Sequence, residues 1–126
     1  MNTGHRTGKI IDLALGMERL NTTQEGSALE ALRILFEMLK TDIAALQAAE
    51  EKNDIKAAYA LLIRTQCGLK YSGTPRLEQA CNLLCDAVKR AKDLKKVEPL
   101  FWLFYDEVKL FGEEFKAMIK EPNRNG

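Results

Sequence analysis

The side chains best equipped for chemistry in this chain are three cysteines and one histidine. Cys81 and Cys85 stand four positions apart, so on a helix they share nearly one face. Two thiolates there could form half of a zinc site. No further cysteine or histidine is placed within that segment to complete one, and helical cysteines commonly act as small apolar side chains. The spacing leaves two readings, structural thiols or a metal or redox pair, and favours the first. The histidine, His5, lies in a polar stretch at the start of the chain, where fraying is the ordinary expectation. The sequence holds no phosphate-cradling glycine loop, no paired-carboxylate constellation and no Cys/His catalytic pair; Gly68 and Gly73 do not make a nucleotide motif. These side chains argue for a protein that is not an enzyme and needs no cofactor.

The elements that must position any site are helical. The chain has 126 residues, enough for one domain with a real core and no staples. Apolar residues make up 46% and charged residues 29%, a globular balance. Nineteen basic residues against 18 acidic ones leave a net charge of +1, which supplies no footprint for nucleic acid or an anionic membrane. No signal-peptide pattern and no bilayer-length apolar run is present. Three cysteines without secretory features fit reduced thiols and a cytoplasmic location.

Apolar residues recur at threes and fours in five segments, and none alternates with period two. A short helix is expected at about 10–20. A second runs from about Gln24 to Lys52, with Ala28, Leu32, Leu35, Leu39, Ile43 and Leu46 as its stripe and Thr23 or Ser27 as its start. Asp54 reads as the cap of a third, about Ile55–Tyr71, whose inward stripe is Ile55, Ala58, Leu62, Thr65 and Leu69. Pro75 suits the first turn of a fourth. A fifth is expected over about Leu94–Ile119, with Val97, Leu100, Phe101, Phe104, Val108, Phe111, Phe115 and Met118 facing inward. Such helices with short loops predict an all-α antiparallel four-helix bundle with a short N-terminal accessory helix, over residues 10–119, with polar tails at 1–9 and 120–126.

Residues 57–77, AAYALLIRTQCGLKYSGTPRL, resemble the signature helix of a histidine phosphotransfer (HPt) domain. The run Tyr71-Ser-Gly-Thr-Pro-Arg-Leu77 is similar to the HPt domains of BarA-type hybrid sensor kinases, and Asp12–Gly16 resembles the family's opening helix. Aligned on Gly73, Pro75, Arg76 and Leu77, the phosphoacceptor histidine falls on Ile63. Thr65 stands for the usual leucine, Gln66 for a lysine or histidine, and Cys67 for the glycine that gives a receiver's backbone room to approach. The resemblance implies a degenerate HPt protein of bacterial two-component signalling. It would dock a receiver domain or histidine kinase without carrying phosphate. The partner-binding residues it implies are Tyr59, Ile63, Gln66, Cys67, Lys70 and Arg76, with Gln79 beside them.

Ile63 is turned about 100° from the inward-facing Leu62, so it belongs at the core's edge or outside. It reads either as a wide-core residue or as the anchor of a binding patch with Tyr59. The densest apolar run, Leu100–Tyr105, leaves Trp102 and Tyr105 off the inward stripe, as cover for a bundle edge or as a homodimer surface. A dimeric helical adaptor for a transcription factor or sensor, unrelated to phosphotransfer, is the alternative function. The clusters at Glu50–Lys52 and Lys92–Lys96 read as solvated helix ends.

Overall fold

A computed structural model of the chain describes residues 10–120. Five α-helices lie in that span: α1 (Leu13–Arg19), α2 (Glu25–Glu51), α3 (Ile55–Leu69), α4 (Pro75–Arg90) and α5 (Glu98–Lys120). A 3₁₀ turn, Leu94–Val97, precedes α5, and no strand occurs among the described residues. His5 and the expected tails, apart from Lys120 in α5, lie outside the described residues.

Local chemistry sets most of the boundaries. The Asp12 side chain accepts from the Leu15 N–H and caps α1; Asp54 accepts from the Ala57 N–H and caps α3. Asn53 takes φ +54°, a left-handed conformation that asparagine tolerates. Its Oδ1 accepts from the Leu94 N–H at 2.8 Å, tying the α2–α3 turn to the 3₁₀ turn. Pro75 opens α4 where its missing N–H would have had no partner.

Three expected boundaries shift. Neither Thr23 nor Ser27 starts α2, which begins after Gln24 without a side-chain cap. Ile10 and Ile11 are not helical; they run ahead of α1, both buried, and their N–H groups donate to the Glu114 carboxylate of α5. The fifth helix does not reach back to Leu94. In a continuous α-helix the ring of Pro99 would collide with the Lys95 carbonyl, so the chain enters as a 3₁₀ turn and α5 begins at Glu98.

Consecutive long helices pack antiparallel, and α5 returns to α2 to close a four-helix bundle; α1 lies against α2. The core is leucine from α2, α3 and α4 facing phenylalanine from α5. Phe36 stands over Phe111 and Phe115 with ring centroids 6.4 and 5.5 Å away. Each such ring or leucine, once buried, contributes roughly 1.5–3 kcal/mol.

The signature's Gly73 has a structural task. It sits at φ +71° in the α3–α4 loop, and its carbonyl accepts from the Asp12 N–H at 2.7 Å. A Cβ there would lie 2.4 Å from the Asp12 oxygen and 2.6 Å from the Gly16 nitrogen. Gly16 has the matching need, since its own Cβ would approach the Ser72 oxygen to 3.1 Å. Two glycines thus let the backbone of α1 rest on the backbone of the loop. Arg19 fastens the far end of α1, donating to the Lys70 carbonyl and to Glu78 Oε1, each at 2.9 Å.

Candidate functional site

The α3 helix presents the face singled out in the sequence. Leu62 is fully buried, whereas Ile63, one step round, is 39% exposed. Cys67 and Lys70, on the next two turns, are exposed as well. Tyr59, one turn before, is half-buried and packs against the core. Gln66 is half-buried on the flank, and its Nε2 donates to Asn82 Oδ1 of α4 at 2.7 Å. Four of the six expected residues therefore share α3, and Lys70 is its C-cap.

Arg76 does not join them. Its guanidinium donates to Glu107 Oε2 of α5 at 2.8 Å, and it lines a groove between α4 and α5. Asn82 faces α3 while Arg76 faces α5, so α4 separates the two. Gln79 lines the same groove as Arg76.

A polar clamp beneath the face was not evident from the sequence. Asp42, in the middle of α2, is only 3% exposed. It accepts from Arg64 Nη2, and its other oxygen lies 3.0 Å from the Thr65 hydroxyl. That hydroxyl also lies 2.9 Å from the Leu61 carbonyl. With one proton it serves one acceptor at a time, and the carboxylate is the stronger. Thr65 thus occupies a core position as the partner of a buried acid. The signal was present: Asp42 stands in the threes-and-fours stripe of Leu35, Leu39 and Leu46, where a hydrocarbon belongs.

Chemically, the face offers surface rather than a reacting nitrogen. Ile63 has no lone pair, and the Gln66 amide is engaged with Asn82. Cys67 carries an exposed thiol, while Cys81 and Cys85 are buried. Burial, with the neighbouring Cys85 and acids adding, pushes the Cys81 thiol up to about 12; burial raises Cys85 as well. No cluster of three or more histidine, cysteine or acidic side chains able to hold a metal occurs among the described residues. An aromatic disulfide reagent is expected to label Cys67 rapidly in the native protein. Cys81 should react only as the bundle opens, with Cys85 slower than Cys67. Equal rates for all three thiols would contradict this packing.

The Cys81 shift also sets a pH dependence. A raised thiol favours its neutral form in the folded state, so its contribution is complete below the ordinary value of 9.0 and is lost as pH climbs toward 12. Tyr105 acts in the same sense, raised by burial and by donating to Glu50 Oε1 at 2.9 Å. Urea midpoints are expected to fall steadily above about pH 9, and a midpoint flat to pH 11 would contradict it. Glu50 is accordingly not the solvated residue the sequence suggested. Tyr105 covers the α2–α5 edge, whereas Trp102, edge-on to it, is 59% exposed.

No family model matches the chain, and no curated protein sequence matches it. A solved structure does: the HPt domain of the Hpt sensor hybrid histidine kinase from Shewanella. The TM-score is 0.80 at 21% identity, over 89% of this chain and 95% of that one. The fold is therefore HPt-like. No helix among the described residues is long and apolar enough to cross a membrane.

Proposed function

We propose that the chain is a degenerate HPt module of bacterial two-component signalling. It docks a receiver domain or a sensor kinase in the cytoplasm and carries no phosphoryl group. The observation behind this reading is Ile63. The fold is HPt-like, and Ile63, which the resemblance around Gly73–Leu77 sets at the phosphoacceptor place, is a hydrocarbon 39% exposed. The reading makes the protein a competitor or adaptor rather than an enzyme.

Magnitude limits what Ile63 does alone. Burying it fully yields roughly 1.5–3 kcal/mol, whereas a micromolar complex needs about 8 kcal/mol net. Tyr59, Gln66, Cys67 and Lys70 must share the interface. Incubation with a receiver carrying labelled phosphate is expected to leave this chain unlabelled, and stable label would sink the reading. Ile63→Asp is expected to weaken capture of that receiver at least tenfold, about 1.4 kcal/mol, and Tyr59→Ala less. Unchanged capture in both variants would remove this face from the interface.

A further inference from the structure

Charge is distributed unevenly along this nearly neutral chain. Residues 55–77 hold Lys56, Arg64, Lys70 and Arg76 and no aspartate or glutamate. The rest of the chain, with 15 basic residues against 18 acidic, is net acidic. Solvent-facing helices ordinarily carry both signs. Every other α-helix of the bundle has at least one acid; α3 has none.

The basic residues surround Ile63. Lys56, Ile63 and Lys70 stand seven positions apart, so they lie within about 20° of one line and about 10.5 Å from one to the next. All three are exposed. A hydrocarbon with a cation beyond each side has the apolar centre and charged rim of an interface. Arg64 adds a cation fixed in place. Its Nη2 is held by the buried Asp42 carboxylate, yet 60% of its side chain remains exposed. The pair is a dipole with its positive end outward. A guanidinium has five N–H donors in a planar fork, so donors remain for a second anion. An arginine already pinned gives up less side-chain freedom on binding. Both acids of α4, on the opposite flank, are engaged: Glu78 with Arg19 and Asp86 with Arg90.

We propose, resting on the docking role given above, that this face takes its receiver in the phosphorylated form. A phosphoryl group brings roughly two negative charges and three acceptor oxygens. A receiver docked as for transfer brings that group to the phosphoacceptor place, which the resemblance sets at Ile63. Arg64 is the next residue, its Cα about 3.8 Å along the chain. The hydrocarbon takes no phosphoryl group, so the anion stays on the receiver. Arg64 donates to it directly, and Lys56 and Lys70 attract it at longer range. An unphosphorylated receiver keeps the apolar contact and loses this attraction.

Titration of one receiver domain in two forms tests the proposal: uncharged, and loaded with Mg²⁺ and beryllofluoride as a stable mimic of the aspartyl phosphate. The loaded form is expected to bind at least about fivefold tighter near 50 mM salt, with the gap narrowing near 300 mM. Arg64→Gln should close most of that gap. Because it leaves Asp42 unpaired, Lys56→Gln combined with Lys70→Gln is the second variant; both lysines are exposed, and the gap should shrink by roughly half. Ile63→Asp should weaken both forms. Equal binding of the two forms by the wild type would overturn the proposal and leave the docking role standing. So would a preference that Arg64→Gln and the lysine pair both leave intact, since it would come from the receiver's own change of shape. Binding of neither form would overturn the docking role and the proposal together.

Discussion

Gly73→Ala is expected to lower stability by about 3–5 kcal/mol, out of a total on the order of 5–15 kcal/mol. A left-handed conformation costs a residue with a Cβ roughly 1–2 kcal/mol. The larger part is collision. The new methyl would stand 2.4 Å from the Asp12 oxygen and 2.6 Å from the Gly16 nitrogen, and backbone cannot swing aside as a side chain can. Either the loop distorts, or α1 lifts off and takes with it the Asp12–Gly73 hydrogen bond and the buried Ile10 and Ile11. That second route bounds the cost, because each isoleucine contributes roughly 1.5–3 kcal/mol. Urea unfolding should show a lower midpoint, and the thermal midpoint should drop by roughly 10–20 °C. Gly26→Ala is the control. A Cβ there meets nothing within 4 Å, so its midpoint should hold or rise. If Gly73→Ala unfolds with the wild type, the close approach of α1 to the loop is wrong.

The fold was legible where the determinants are local. Asp54 and Pro75 mark helix starts through groups within a few residues of themselves, and the leucine and phenylalanine stripes locate the core. What escaped depends on partners far along the chain. Ile10 and Ile11 continue the apolar period of α1, yet the carboxylate that holds their N–H groups as non-helical backbone is Glu114, more than a hundred residues away. Pro99 is a local signal against a helix from Leu94, one that the apolar stripe from Val97 does not register.

The site divides the same way. The exposure of Ile63 follows from its angle to Leu62, which the sequence supplies. The placing of Arg76 does not, because nothing near it in the chain announces Glu107. A motif residue can match a family pattern and still face elsewhere. Here Gly73 serves the docking of α1 and Arg76 the α4–α5 seam, while the α3 face carries the residues that depart from the pattern. Under the proposed reading, the scaffolding part of the signature and its reactive part are separable in this chain.

That separation makes a gain of function the sharpest test of the docking reading. Ile63→His combined with Gln66→Lys and Cys67→Gly is expected to let the chain accept label from a phosphorylated receiver, more than about tenfold above wild type, with Ile63→His alone intermediate. The imidazole would stand on an exposed face with an ordinary value near 6.5, so much of it is neutral and nucleophilic at pH 7. Cys67→Gly clears the approach at a helix-propensity cost of up to about 1 kcal/mol. Gln66→Lys gives up the bond to Asn82, worth roughly 0.5–1.5 kcal/mol, for a cation beside the incoming phosphoryl group. Both losses leave a folded bundle if total stability is ordinary, which circular dichroism would check. Transfer requires the phosphoryl group and the imidazole nitrogen to come within about 3–3.5 Å in line, so label reports docking geometry and not mere association. A folded triple variant that stays unlabelled, while the same receiver labels an active HPt domain, would mean that receivers do not dock on α3. Label on the triple variant and none on wild type would mean that the face holds a docking geometry for receivers without a nucleophile of its own.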